Sequence, residues 1–134
     1  MSDLDEIMLK ERAALVHVRT LCRIYGNCAE IVGRDSDEQG SKYEKDQYER
    51  GRMEVLQIAV KLTDELFRDS ALRASLDFCM KARDLQFATM IAKAVTTVTV
   101  QEKIVKDHGD YFVLNEKEGR LIPTPAAAID PSLD

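Results

Sequence analysis

Cysteine is sparse in this chain and comes as an odd set, Cys22, Cys28 and Cys79, with no CxxC spacing. That pattern excludes a readable disulfide scaffold or paired zinc motif and fits a reducing compartment. No apolar run approaches the roughly 18–20 residues needed to cross a bilayer. The first ten residues are acidic and hold no apolar stretch between basic flanks, so they do not read as a signal peptide. The expectation is a cytoplasmic protein without membrane contact. Histidine is limited to His17 and His108. Neither has a histidine at i+3 or i+4, and no Glu-x-x-His pair occurs, so the ligand set of a bundle di-iron centre is missing. Both are expected to be structural. A glycine-rich phosphate loop is absent too: Gly26, Gly33 and Gly40 recur every seven residues, but two of them only bracket a loop. No serine, threonine or cysteine stands in a nucleophile motif with a histidine. Neither metal, cofactor nor catalytic residue is expected.

What is present is an ordinary folded composition, 45% apolar and 32% charged over 134 residues. A length of this order predicts one domain, which buries roughly two-thirds of its unfolded surface without needing staples. The formal charge of −5 repels phosphate backbones on average, so nucleic-acid binding is not the default expectation.

A 3–4 repeat runs from Asp3 to Val32, apolar except at Glu11: Leu4, Ile7, Glu11, Ala14, Val18, Leu21, Tyr25, Cys28 and Val32. Ser2 supplies a capping residue with acids in the first turn. Such a helix is about 45 Å long, with Gly26 as the place where a bend costs least. Residues 33–40 read as a solvated, acid-rich loop. Ser41 and Glu44 form a capping box that opens a second helix, expected to reach Arg68. Asp69 or Ser70 is expected to cap a third helix ending near Arg83, and Asp84 a fourth. In the fourth, Phe87, Ile91, Ala94, Val98 and Val105 keep helical spacing through the β-branched run Val95–Val100, which is therefore read as helix despite its strand propensity. His108 and Gly109 mark its end. The segment 111–122 carries a β-hairpin signal, with Gly119 as the left-handed turn residue. Residues 123–134, rich in proline and without period, are expected to form a flexible tail.

The predicted fold is all-α: a helical bundle built on a long antiparallel helical hairpin, with two shorter helices and a small C-terminal β-hairpin. The domain spans 1–122. A second apolar row lies opposite the first on the opening helix: Leu9, Ala13, Val16, Ile24 and Ile31. The second helix is similarly broad, with Met53, Leu56, Val60 and Phe67 beside Val55, Leu62 and Leu66. An ordinary surface helix shows one stripe, and burying a large aliphatic side chain stabilises by roughly 1.5–3 kcal/mol. The double rows therefore predict a neighbour, most simply a second copy in a coiled-coil-like, two-fold homodimer, or another protein partner. The expected function is a non-enzymatic interaction or regulatory protein.

Two other readings compete. The third and fourth helices with the hairpin resemble a winged-helix DNA-binding regulator in outline, but only Gln86, Thr89 and Lys93 are available as polar readers. A metal-dependent all-α hydrolase would need inward acids, whereas Glu54, Asp64 and Glu65 lie on the polar strip of the second helix and Glu49 stands near them. Arg12, Arg19 and Arg23 line one edge of the first helix. They are expected to pair with acids of the second helix or stay wet, the alternative being an acidic ligand. Tyr43 and Tyr48 sit among charges, suited either to a contact surface or to closing the end of the bundle.

Overall fold

The computed structural model describes residues 2–34 and 42–125. Among them six helices are followed by an antiparallel pair of strands, a mostly α fold with a C-terminal β-hairpin. Helix α1 runs Asp3–Ile24. Ser2 Oγ accepts the Asp5 N–H at 3.2 Å, and Asp3, Asp5 and Glu6 stand in the first turn, where negative charge complements the helix dipole. The bend expected at Gly26 falls at Tyr25, and α2 follows as Gly26–Arg34. The ladder survives on both sides, from Tyr25 N–H to Leu21 O and from Ala29 N–H to Tyr25 O. Gly33 and Arg34, read as loop, are thus helical. The remaining loop residues and the Ser41 cap lie outside the described residues.

Helix α3 is Lys42–Ala59. The second helix expected to reach Arg68 stops nine residues short, and α4 begins afresh as Glu65–Lys81. The break has a distant cause. The Glu11 carboxylate, buried on α1, accepts the N–H groups of Thr63 (2.9 Å) and Asp64 (2.6 Å) and the Thr63 hydroxyl (3.0 Å). Asp64 then caps α4 by accepting the Phe67 N–H at 2.9 Å. The hairpin of the sequence reading is therefore α1–α2 against α3, with a shorter second arm. Helix α4 packs against α1, α2, α3 and α5. The start of α1 meets the end of α3, and Ala29 of α2 packs with Tyr48 of α3, so the two arms run antiparallel.

The same device breaks the segment read as one fourth helix. It consists of α5, Leu85–Ala94, an extended link, and α6, Val98–His108. Asp69 was expected to cap its own helix; it lies inside α4, fully buried, and accepts the N–H groups of Thr96 (3.0 Å) and Thr97 (2.6 Å) instead. It satisfies the start of α6, where Thr97 makes no side-chain cap of its own, and the β-branched run that opens there prefers the extended link. Asp84 caps α5 through the Phe87 N–H at 3.3 Å, as expected.

Strands β1 (Phe112–Asn115) and β2 (Arg120–Pro123) pair in the register Phe112↔Pro123 to Asn115↔Arg120. Gly119 turns the hairpin at φ 66°. Phe112 and Leu121 enter the core beside Ile104, Leu76 and Val18, which fastens the hairpin to the helices. Pro123, assigned to the tail, is the last residue of β2; residues 126–134 lie outside the described residues.

Candidate interaction surface

The second row on the first helix stands where helical spacing puts it, on the side of α1 turned away from α3 and α4. The core side of α1 is marked by Glu11, Leu15, Val18 and Leu21. Opposite them Leu9 is 52% exposed, Val16 54% and Ile24 63%, with Ala13 exposed between. Thr20 completes the ridge; its hydroxyl donates to Val16 O at 3.0 Å, so covering it leaves no donor unsatisfied within the helix. Ile31 stands beyond the bend on α2 and is half-buried, so it is the least available of the predicted residues.

A further apolar patch was not separated from the core stripe by sequence. Because Glu11 meets the α3–α4 turn, the first two turns of α1 reach past that end of the bundle. Leu4 and Ile7 are 67% and 50% exposed there, although they continue the core-facing period. Met8 and Leu9 line a cleft of about 420 Å³ with Asp5, Arg12 and Phe67. On the second expected helix Met53, Val60 and Leu66 are exposed, while Leu56 and Phe67 are half-buried.

Arg12, Arg19 and Arg23 are exposed and form no ion pair among the described residues. The pairing with acids of the second helix is absent there. Arg19 and Arg23 instead line a cleft of about 410 Å³ against α4, with Lys81 on its far wall.

Three of the four acids weighed as metal ligands are engaged within the fold, and Glu49 is exposed. Asp64 caps α4, Glu65 accepts the Thr96 hydroxyl at 2.6 Å, and Glu54 accepts the Tyr25 hydroxyl at 3.4 Å. Among the described residues no three His, Cys, Asp or Glu side chains group around a common point suited to a metal ion. For Glu11, burial works against the charged form, but the donors of Thr63 and Asp64 outweigh it and hold the carboxyl below its ordinary range. Asp69 behaves alike: burial opposes charge, and the Thr97 and Thr96 donors with Arg68 prevail. Burial raises the Cys22 thiol to about 11 and the Cys79 thiol to about 12, so neither is a thiolate nucleophile at neutral pH.

Tyr48 closes the inside of the bundle. Its hydroxyl donates to Asp84 Oδ2 at 2.7 Å, the same atom that receives Arg52 at 2.7 Å, and Arg52 stacks 3.6 Å from the Phe87 ring centroid. Burial, more than any other cause, pushes the Tyr48 hydroxyl above its ordinary range. Tyr43 is exposed. His108 Nε2 hydrogen-bonds the Asp77 carboxylate at 2.8 Å, the oxygen accepting, while His17 is exposed on α1. Of the polar readers weighed for DNA, Gln86 and Lys93 are exposed on α5, separated by Met90, and the Thr89 hydroxyl is buried. No helix among the described residues is long and apolar enough to cross a membrane.

Against this geometry, no protein-family model, no curated protein and no solved structure matches the chain.

Proposed function

We propose that this chain is a non-enzymatic interaction protein that pairs with a second copy along the outer face of α1. The observation that carries the reading is the ridge itself: Leu9, Val16 and Ile24 remain more than half exposed with the rest of the fold in place. Steps of four, three, four and four residues through Ala13 and Thr20 average about 3.75 per turn, close to the 3.6 of a straight helix, so the row stays on one side of α1. An antiparallel crossing beside Val16 sets Leu9 against Ile24 and Ala13 against Thr20, a self-complementary register that a two-fold axis requires.

Magnitudes bound the strength. Covering three half-exposed aliphatic side chains on each of the two copies gives on the order of 6 kcal/mol, near the low end of the cost of bringing two molecules together. The overhanging Leu4, Ile7 and Met8 have to contribute as well, and the dimer is expected to be weak and reversible. Sedimentation equilibrium across a concentration series tests this. The wild type is expected to shift from monomer to dimer in the micromolar range, and Leu9→Asp with Val16→Asp to remain monomeric with an unchanged helical spectrum, since both sites are exposed. A wild-type chain that stays monomeric up to millimolar concentration defeats the reading.

A further inference from the structure

The formal charge is −5, yet five cations gather where α2 crosses the C-terminal end of α4, none of them ion-paired among the described residues. Two adjoining clefts, of about 410 and 580 Å³, share Lys81. Arg19 and Arg23 line the first, Arg34 and Arg83 the second. Glu30 borders both, and Asp77 in the first cleft is already engaged by His108. The crossing is close: a Cβ on Gly33 would lie 2.1 Å from the Lys81 carbonyl oxygen. That approach is what brings Arg34 beside Lys81 and Arg83.

Part of the cluster has an ordinary explanation. Arg23, Arg34 and Lys81 occupy last turns of helices, where positive charge complements the dipole. Arg83 is different. It stands at φ 57°, in the left-handed region. Its N–H bonds Met80 O at 3.0 Å, and the Asp84 N–H bonds Cys79 O at 2.9 Å, the closing pattern in which glycine is preferred. A residue with a side chain costs on the order of 1 kcal/mol there. The chain nevertheless carries a long cation at this position, exposed and facing the shared groove.

We propose that the groove binds a small molecule bearing two or more linked phosphoryl groups. Arg19 and Arg23 hold one end, Lys81 the middle, and Arg34 with Arg83 the other. Guanidinium forks match phosphate oxygens, and charge-assisted hydrogen bonds are roughly twice as strong as neutral ones. Each cleft has the volume of an ordinary small-molecule site. An extended duplex is a poorer fit, because the acidic chain around five clustered cations repels a long run of phosphates. The inference rests on different observations from the α1 pairing, although Arg19 and Arg23 border both surfaces.

Thermal unfolding of the full chain with inorganic tripolyphosphate, at ionic strength held constant with sodium chloride, tests it. A saturable rise in Tm is expected, and orthophosphate should act only at much higher concentration. Arg83→Gly should melt higher than wild type without ligand, because the backbone strain is relieved, yet bind tripolyphosphate about tenfold more weakly or worse. Lys81→Met should weaken it similarly, and Lys93→Met, an exposed cation on α5, should leave it unchanged. An equal response from wild type and Arg83→Gly, or one reproduced by sodium chloride alone, overturns the proposal. So does tighter binding of duplex DNA than of tripolyphosphate, which would assign the groove to nucleic acid.

Discussion

The carboxylate of Asp69, inside α4, accepts the backbone N–H of Thr97 at 2.6 Å across 28 residues of chain. With the Thr96 N–H at 3.0 Å on the same oxygen, it does for α6 what an N-cap side chain ordinarily does from within its own helix. Asp69→Ala leaves the N–H groups of exposed Thr96 and half-buried Thr97 without their acceptor. Capping losses run about 0.5–2 kcal/mol and a donor left unsatisfied costs about 1–3; both describe the same lost bonds, so a loss of about 1–3 kcal/mol is expected. Asp69→Asn, which keeps an acceptor but not the charge, should lose less. Urea unfolding midpoints measure both, and equal midpoints for Asp69→Ala and wild type would remove this capping role.

Glu11 and Asp69 also set an acid limit. Both carboxyls are held below their ordinary values in the folded protein, so the unfolded chain binds protons more readily than the folded one. The stability they contribute is complete above the ordinary carboxylate range of about pH 4 and is lost as pH falls through the lower folded values. Stability should therefore be nearly flat from pH 7 to about 5 and decline below about 4. Glu11→Gln removes one of the two titrating groups, so its curve should fall less steeply although it starts lower. A wild-type profile that improves on acidification would contradict the assignment.

Two glycines report how closely the helices approach. Alanine is the better helix former by roughly 1 kcal/mol, so Gly→Ala inside an open helix should stabilise. At Gly33 the added Cβ would meet the Lys81 carbonyl at 2.1 Å, and at Gly51 it would meet the Tyr25 ring and Cβ at 2.7–2.9 Å. Backbone and ring root cannot step aside cheaply, so both substitutions should destabilise, by about 1–3 kcal/mol as overpacked sites do, with Gly33→Ala the worse. Thermal melts decide the sign: a raised Tm for Gly33→Ala would mean that α2 and α4 do not cross as described.

The parts of the fold that depend on local chemistry were legible in the sequence: the Ser2 and Asp84 caps, the bend near Gly26, and the hairpin around Gly119. Both missed helix breaks, after Ala59 and after Ala94, are made by carboxylates far away in the chain. Leu62 and Leu66 keep the period of Val55 and Ala59 straight through the first turn, so apolar spacing alone runs on. Glu11 did leave a trace, since it is an acid at a core position of an otherwise apolar stripe. The outer ridge of α1 was visible because exposure there follows from the helix's own period. The overhang of Leu4 and Ile7 was not, because it depends on where α3 ends. The basic groove was half visible: Arg19 and Arg23 share an edge of one helix, but Arg34, Lys81 and Arg83 join them only through the glycine-mediated crossing and the left-handed backbone at Arg83.

Salt gives the α1 pairing a test with an unusual sign. In an antiparallel two-fold crossing, equivalent edges of the two helices lie side by side, so Arg12, Arg19 and Arg23 of one copy adjoin those of the other. Like charges at helix-neighbour distance cost roughly 0.2–0.5 kcal/mol per pair; Arg12 of each copy neighbours Arg19 and Arg23 of the other, and these four pairs sum to about 1 kcal/mol. The Debye length shrinks from about 10 Å at 0.1 M to about 3 Å at 1 M, which removes most of that repulsion while leaving the contacts of Leu9, Val16 and Ile24 intact. Association should thus tighten by roughly fivefold between low and high sodium chloride. Arg12→Gln with Arg19→Gln should flatten the dependence and strengthen the dimer at low salt. Sedimentation equilibrium at the two salt concentrations measures this directly. A dimer that loosens as salt is added would instead have opposite charges across its interface, and the antiparallel α1 register would be wrong even if the protein pairs.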